Sequence, residues 1–160
     1  MKLLKDNEIS IEKWNRLLSS SPLATPFQTV AFYELFNAVP GISADVFAVE
    51  EGFEIIALCV VTLQKESGIK GFFSRRAIVY GGPVLKDRKN KGFDFLIKAI
   101  AKDFKRKAIY IDIRRLSDYS PYITILEKNN FRYIPYQNFK VDCSDKEKLF
   151  QKLGKSQKAD

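Results

Sequence analysis

Hydrophobic positions recur along the chain with two spacings, near 3.6 residues and two residues, and each spacing predicts a different element. After a capping Ser10, a helix is expected from Ile11, with Trp14, Leu17 and Leu18 on one face and Ser19-Ser20-Ser21-Pro22 as its end. Leu23 to Gln28 should be extended, because a residue before proline avoids the helical region. Thr29 then caps a second helix to about Ala38, with Val30, Tyr33 and Phe36 along one face and Pro40-Gly41 as its stop. Asp45 to Glu50 reads as a strand, Glu51-Gly52 as a hairpin turn, and Phe53 to Lys65 as a second, longer strand. The middle of that strand, Ile55 to Val61, is apolar on both faces, so it belongs at the centre of a sheet covered on both sides.

A loop at Ser67 to Gly71 leads to a short strand, Ala77 to Tyr80, which Gly81-Gly82-Pro83 halts. Phe93, Leu96, Ile97, Ile100, Ala101 and Phe104 then mark the clearest helix, with Lys98, Lys102 and Lys105 facing away. Ala108 to Arg114 alternates strictly, Ile109, Ile111 and Ile113 against Tyr110, Asp112 and Arg114. A helix follows from Pro121 to Lys128, then strands at Phe131 to Ile134 and Asn138 to Cys143. A final helix starts at a Ser144/Glu147 capping box. A hairpin first and crossover helices afterwards imply a mixed sheet in a single α/β (α+β) domain.

The composition narrows the chemistry. The 160 residues hold no histidine, which excludes a Ser-His-Asp triad, a Cys-His pair and imidazole-dependent zinc sites. No metal site is expected. Cys59 lies inside the apolar strand and should be a buried, reduced thiol; with Cys143 as the other cysteine, the pair suits the cytoplasm. No apolar run approaches the ~20 residues of a membrane span. The net charge of +8 is unevenly placed: residues 1–54 carry −4, and residues 86–107 carry +6. That excess fits either a solvated helix face or a phosphate-bearing partner such as a nucleotide, a tRNA or anionic lipid.

Tyr80-Gly81-Gly82-Pro83-Val84 stands where a strand hands over to the basic helix. Paired glycines let a backbone approach a ligand, and strand ends are where open α/β sheets bind theirs; a simple tight turn would use the same residues. Lys86, Arg88, Lys89 and Lys91 then lead into a helix start, an arrangement that can hold an anion, although Asp94 in the first turn opposes one. Arg75 and Arg76 should lie at the far end of the preceding strand. Asp112 is expected to partner an arginine. Tyr110, Tyr119, Tyr122, Tyr133 and Tyr136 are open to either base stacking or ordinary core use.

The order of elements resembles the GNAT acyltransferase fold, and the local motifs resemble the FemABX family of peptidoglycan interpeptide-bridge aminoacyltransferases. The resemblance rests on Phe27-Gln28-Thr29, the Phe53–Gln64 strand, Gly82-Pro83-Val84, Phe131-Arg132-Tyr133, and Leu149 to Ser156 as the start of a linking helix. It implies a mostly antiparallel mixed sheet flanked by helices over residues 1–144, and a helix from 145 to 160 leading to a second GNAT-like half. The chain would then be a piece of a longer one, inactive alone.

The resemblance further implies acyl or aminoacyl transfer to an amine, with aminoacyl-tRNA as donor and a cell-wall peptide precursor as acceptor. Gln28, Tyr80, Gly81, Gly82, Pro83, Val84 and Lys86 would line the substrate, and Arg88, Lys89 and Lys91 would meet its phosphates. Three positions depart from the family pattern: Gly81 for an arginine, Lys86 for an aspartate, and Glu34 for a cation. They suit another acceptor or an inactive half. Two alternatives stand beside this expectation. One is a complete single-domain enzyme using acetyl-CoA, whose Arg/Gln-x-x-Gly-x-Gly/Ala loop is met only partly by Lys89 to Asp94. The other is a non-enzymatic basic module binding RNA or protein.

Overall fold

The computed structural model describes residues 1–65, 71, 74–87, 91–136 and 144–152. Six strands form one sheet: β1 (Lys2–Lys5), β2 (Ile42–Glu51), β3 (Glu54–Gln64), β4 (Arg76–Gly81), β5 (Val84–Leu85) and β6 (Tyr110–Arg115). Their order is β1-β2-β3-β4-β6, with β5 paired to β3 beyond β4. All neighbours are antiparallel except β4 and β6, which run parallel. The helices are α1 (Ile11–Ser20), α2 (Val30–Ala38), α3 (Gly92–Phe104), α4 (Ile123–Lys128) and α5 (Lys146–Lys152). The right-handed crossover rule explains why a helix, α3, separates the parallel pair. The sheet is thus mixed, mostly antiparallel, and flanked by helices as expected.

The alternation in β3 divides the core. Cys59, Ala57 and Val61 face α3 with Phe93, Leu96, Ile97, Ile100 and Phe104. Leu58, Val60 and Ile55 face α1 with Trp14 and Leu17, and Val30, Tyr33 and Phe36 of α2 extend that layer. Ser10 and Thr29 cap α1 and α2, their side chains accepting from the Lys13 and Phe32 N–H groups.

Several expectations are corrected. Thr25, before Pro26, is extended, but Pro26–Gln28 form a 3-10 turn, because the proline restricts only the residue ahead of it. β1 was not anticipated; its four residues, held by pairing to β2, are too few to show a period. Ile109 is 63% exposed and precedes β6, so only Ile111 and Ile113 pack inward. Phe131 to Ile134 is not a strand. Its backbone leaves α4 through Asn130 in the left-handed region (φ 64°). α5 starts at Lys146, one residue later than the expected cap implies, and the Asp145 carboxylate accepts from the Glu147 and Lys148 N–H groups. The expected strand at Asn138 to Cys143 and most of the 67–71 loop lie outside the described residues.

Candidate functional site

Strand β4 leaves β3 at the expected site. β3 and β4 pair from Gln64↔Arg76 to Thr62↔Ile78, and pairing resumes at Leu58↔Val84, so three residues of β3 (59–61) stand opposite five of the partner (79–83). The gap is filled by a side chain. Gln28 is fully buried; its Oε1 accepts from the Val60 N–H at 2.7 Å and its Nε2 donates to the Tyr80 carbonyl at 2.8 Å. The amide therefore replaces the rungs missing between β3 and β4. Trp14 secures it from behind, donating Nε1 to the Gln28 carbonyl at 2.8 Å. A few residues earlier, Ser21 Oγ donates to the Leu85 carbonyl at 2.6 Å.

The double glycine is closed on both sides. Gly81 and Gly82 adopt φ of 78° and 84°, and a Cβ on Gly81 would collide with the Thr25 side chain. One on Gly82 would lie 2.7 Å from the Tyr119 hydroxyl. Tyr119 is wholly buried, and its hydroxyl donates to the Pro83 carbonyl. Burial pushes its phenol well above the ordinary value, so the donor proton stays. Gly81, Gly82, Pro83 and Val84 are all buried. The glycines here serve backbone conformation and close packing against Thr25 and Tyr119.

The cations diverge. Lys86 pairs with Glu54, a bond that holds the Glu54 carboxyl below its ordinary value. Lys91 stands exposed at the start of α3. Arg88 and Lys89 lie outside the described residues. Asp94, in the first turn of α3, bonds Lys98 at 2.6 Å and Asn129 at 2.9 Å; Lys98 first, then Asn129, lower its carboxyl. Arg76 sits at the opposite end of β4 from the 81–86 turn, as expected.

What remains open is a shelf that the sequence did not single out as a unit. The Tyr80 ring stacks on Phe36 at 5.7 Å and meets Phe27 at 5.7 Å. Its hydroxyl accepts from Gln64 Nε2 at 2.9 Å. From β6, the Arg114 guanidinium lies 5.4 Å from the Tyr80 centroid, and its Nε donates to Asp112 Oδ2 at 2.9 Å. That bond to Asp112 raises the Arg114 pKa further. Arg114 is about half exposed. An aromatic floor with a guanidinium above it can seat a flat or apolar group carrying a carboxylate.

The five tyrosines separate. Tyr119 and Tyr122 are core residues beside Phe93, whereas Tyr110, Tyr133 and Tyr136 are exposed, Tyr133 under Arg115 at 4.7 Å. Cys59 is fully buried, and desolvation pushes its thiol far up, which removes it as a nucleophile. Among the described residues no group of three or more His, Cys, Asp or Glu is placed to hold a metal ion, and no helix is long and apolar enough to cross a membrane.

Solved structures place this architecture in a known class. The aminoglycoside N-acetyltransferase AAC(6')-Iy, in complex with CoA, aligns with 88% of this chain and 98% of its own at a TM-score of 0.59 and 12% identity. The ribosomal-protein-alanine N-acetyltransferase from Brucella melitensis biovar Abortus 2308 gives 0.56 and 13%, covering 89% of this chain and 99% of its own. FemX gives 0.58 and 16% over 80% of this chain, which spans only 31% of FemX. The chain has the GNAT acetyltransferase fold. No family model and no curated protein sequence matches it.

Proposed function

We propose that the chain serves N-acyl transfer to an amine as the acceptor-side, first GNAT-like half of a FemABX-type aminoacyltransferase. The carrying observation is the contrast between the two sides of β4. The double glycine is sealed by Thr25 and Tyr119, while Arg114 over the part-buried Tyr80 ring is about half exposed. Such a surface suits an acceptor, and Asp94 in the first turn of α3 opposes a pyrophosphate such as that of acetyl-CoA at that helix start. The FemX likeness, in which this chain spans less than a third of the other, supports a half-molecule.

In this scheme Arg114 anchors an acceptor carboxylate and Tyr80, Phe27 and Phe36 floor its apolar part. Gln28 acts at one remove, holding Tyr80 in place. The acceptor amine attacks the carbonyl of an activated aminoacyl ester, the ester oxygen leaves with the bond's electron pair, and the proton lost by the amine is passed through solvent to that oxygen, which departs as a hydroxyl; no covalent intermediate is needed. The second half and the aminoacyl-tRNA come from outside the chain, in the cytoplasm. Lys91, with Lys86, Arg88 and Lys89, supplies a salt-sensitive contact to the tRNA.

Calorimetry tests this directly. A lysine-containing stem peptide should bind, Arg114→Gln should abolish the heat, and acetyl-CoA should give none. A second reading, a complete single-domain acetyltransferase, is favoured by the 98–99% coverage of the two acetyltransferases. Micromolar acetyl-CoA binding with acetyl transfer to an amine would establish it and overturn the first. Binding of neither ligand would overturn both.

A further inference from the structure

At the end of β4 remote from the glycine turn, the strand ends border an open cleft of about 350 Å³, at the small end of the roughly 300–1,000 Å³ range of ligand sites. Its walls divide by chemistry. Ile42 and Ile109 supply aliphatic surface and Tyr110 a ring, and Ile109 and Tyr110 are 63% and 50% exposed despite being large and apolar. Lys65, Arg76 and Gln64 supply the polar wall, and no acidic side chain is among the described residues lining it. Arg76 spends its Nε on Gln64 Oε1 at 3.2 Å, which orients the guanidinium, and its two terminal amino groups have no partner among the described residues.

We infer that this cleft is a binding site for a small organic carboxylate with an apolar body. Arg76 takes the carboxylate through its terminal nitrogens, Lys65 adds a second positive charge, and the body lies against Ile42, Ile109 and Tyr110. No carboxylate among the described residues lines the cleft beside these two cations, and a bound anion meets both charges. The apolar wall rejects a bare hydrated anion, because only a ligand with a body recovers free energy by covering Ile109 and Tyr110. The site is separate from the acceptor shelf but touches it through one residue. Gln64 bonds Arg76 through its oxygen and the Tyr80 hydroxyl through its nitrogen. Occupation that turns Arg76 therefore reaches Tyr80 through Gln64.

The test is an NMR titration of the whole chain with phenylacetate, read at the Ile42, Ile109 and Tyr110 amides. Phenethylamine and acetate serve as controls. Phenylacetate should give saturable shifts; phenethylamine, with the same body and the opposite charge, should give none; acetate should bind at least about tenfold more weakly. The exposed Lys65→Gln/Arg76→Gln double variant, folded by circular dichroism, should weaken phenylacetate by about tenfold or more. Equal shifts from phenethylamine, equal binding of acetate, no saturation by phenylacetate, or unchanged affinity in the double variant would each overturn the inference. None of these outcomes depends on stem-peptide or acetyl-CoA binding.

Discussion

Replacing Gln28 by leucine removes the amide that bridges β3 to β4 and keeps a side chain of similar size. The Val60 N–H and the Tyr80 carbonyl, met at 2.7 Å and 2.8 Å in the native chain, then lose their partner in a place water does not reach. Each orphaned backbone group costs about 1–3 kcal/mol, so the pair costs roughly 2–6. The buried leucine returns about 1–2 kcal/mol, leaving a net loss of roughly 1–4 kcal/mol. With a urea slope of about 2 kcal/mol/M, the midpoint should fall by about 0.5–2 M at an unchanged slope.

Gln28→Glu adds a sign. One oxygen still accepts from Val60, but the other faces the Tyr80 carbonyl and can bond it only as a protonated acid. Its folded pKa is therefore raised above the unfolded value of about 4.3. The variant then matches the wild type most nearly below that value. It loses stability relative to wild type by about 1.4 kcal/mol per pH unit as pH rises toward the folded pKa. Urea melts of both variants and wild type between pH 4 and 7 read this out. A leucine variant within about 0.5 kcal/mol of wild type would refute the bridging role, since surface substitutions commonly fall in that range. So would a glutamate penalty that ignores pH. Gln28 would then be free to face a ligand.

Three further outcomes follow from neighbouring features. Gly52→Ala meets nothing within 4 Å at φ 64°, so it should cost only the left-handed strain of about 1–2 kcal/mol. Gly82→Ala, 2.7 Å from the Tyr119 hydroxyl, should cost clearly more in the same urea melts; equal losses would show that Tyr119 does not seal the turn. Cys59 should react with a thiol reagent far more slowly in the native protein than in urea, and equal rates would displace β3 from the centre of the sheet. Asp103 is pushed up by burial but pulled further down by Lys107 and Lys5, so its folded carboxyl lies below the ordinary value. Its stabilisation is complete above an unfolded pKa of about 3.9 and fades as pH falls through the folded one. Asp103→Asn should flatten that acid limb in urea midpoints taken across it; an unchanged limb would assign acid sensitivity elsewhere.

The elements that declared themselves in sequence are those whose stability is local. Ser10 and Thr29 cap the helices they precede, and the spacing from Phe93 to Phe104 is the buried face of α3. The central position of β3 was legible because burial on both faces leaves no polar alternation. What stayed hidden depends on distant partners. β5 is two residues long and exists because β3 offers it an edge. The resemblance set Gln28 beside a substrate, and its bridge between β3 and β4 could not be read from the sequence, since nothing near it reveals a gap 32 residues away. The Ser144/Glu147 spacing put the start of α5 one residue early, and the Asp145 carboxylate reaches the first N–H groups. The shelf joins positions 27, 36, 80 and 114 through the parallel β4–β6 pairing, which no local pattern encodes.

The interruption between β4 and β5 also limits which length changes the chain tolerates. Side chains alternate faces every residue along a strand, so the two extra residues return Val84 to the same face as Ile78 and Tyr80. Deleting one residue from 81–83 would turn Val84 toward α3 and Leu85 toward α1, exchanging the sides of the core on which each is buried. Deleting two would keep both on their own sides but leave Gln28 and Tyr119 without room. Relatives sharing this packing should therefore vary freely in residue type around the turn, within the demands of the glycines, yet hold its length constant.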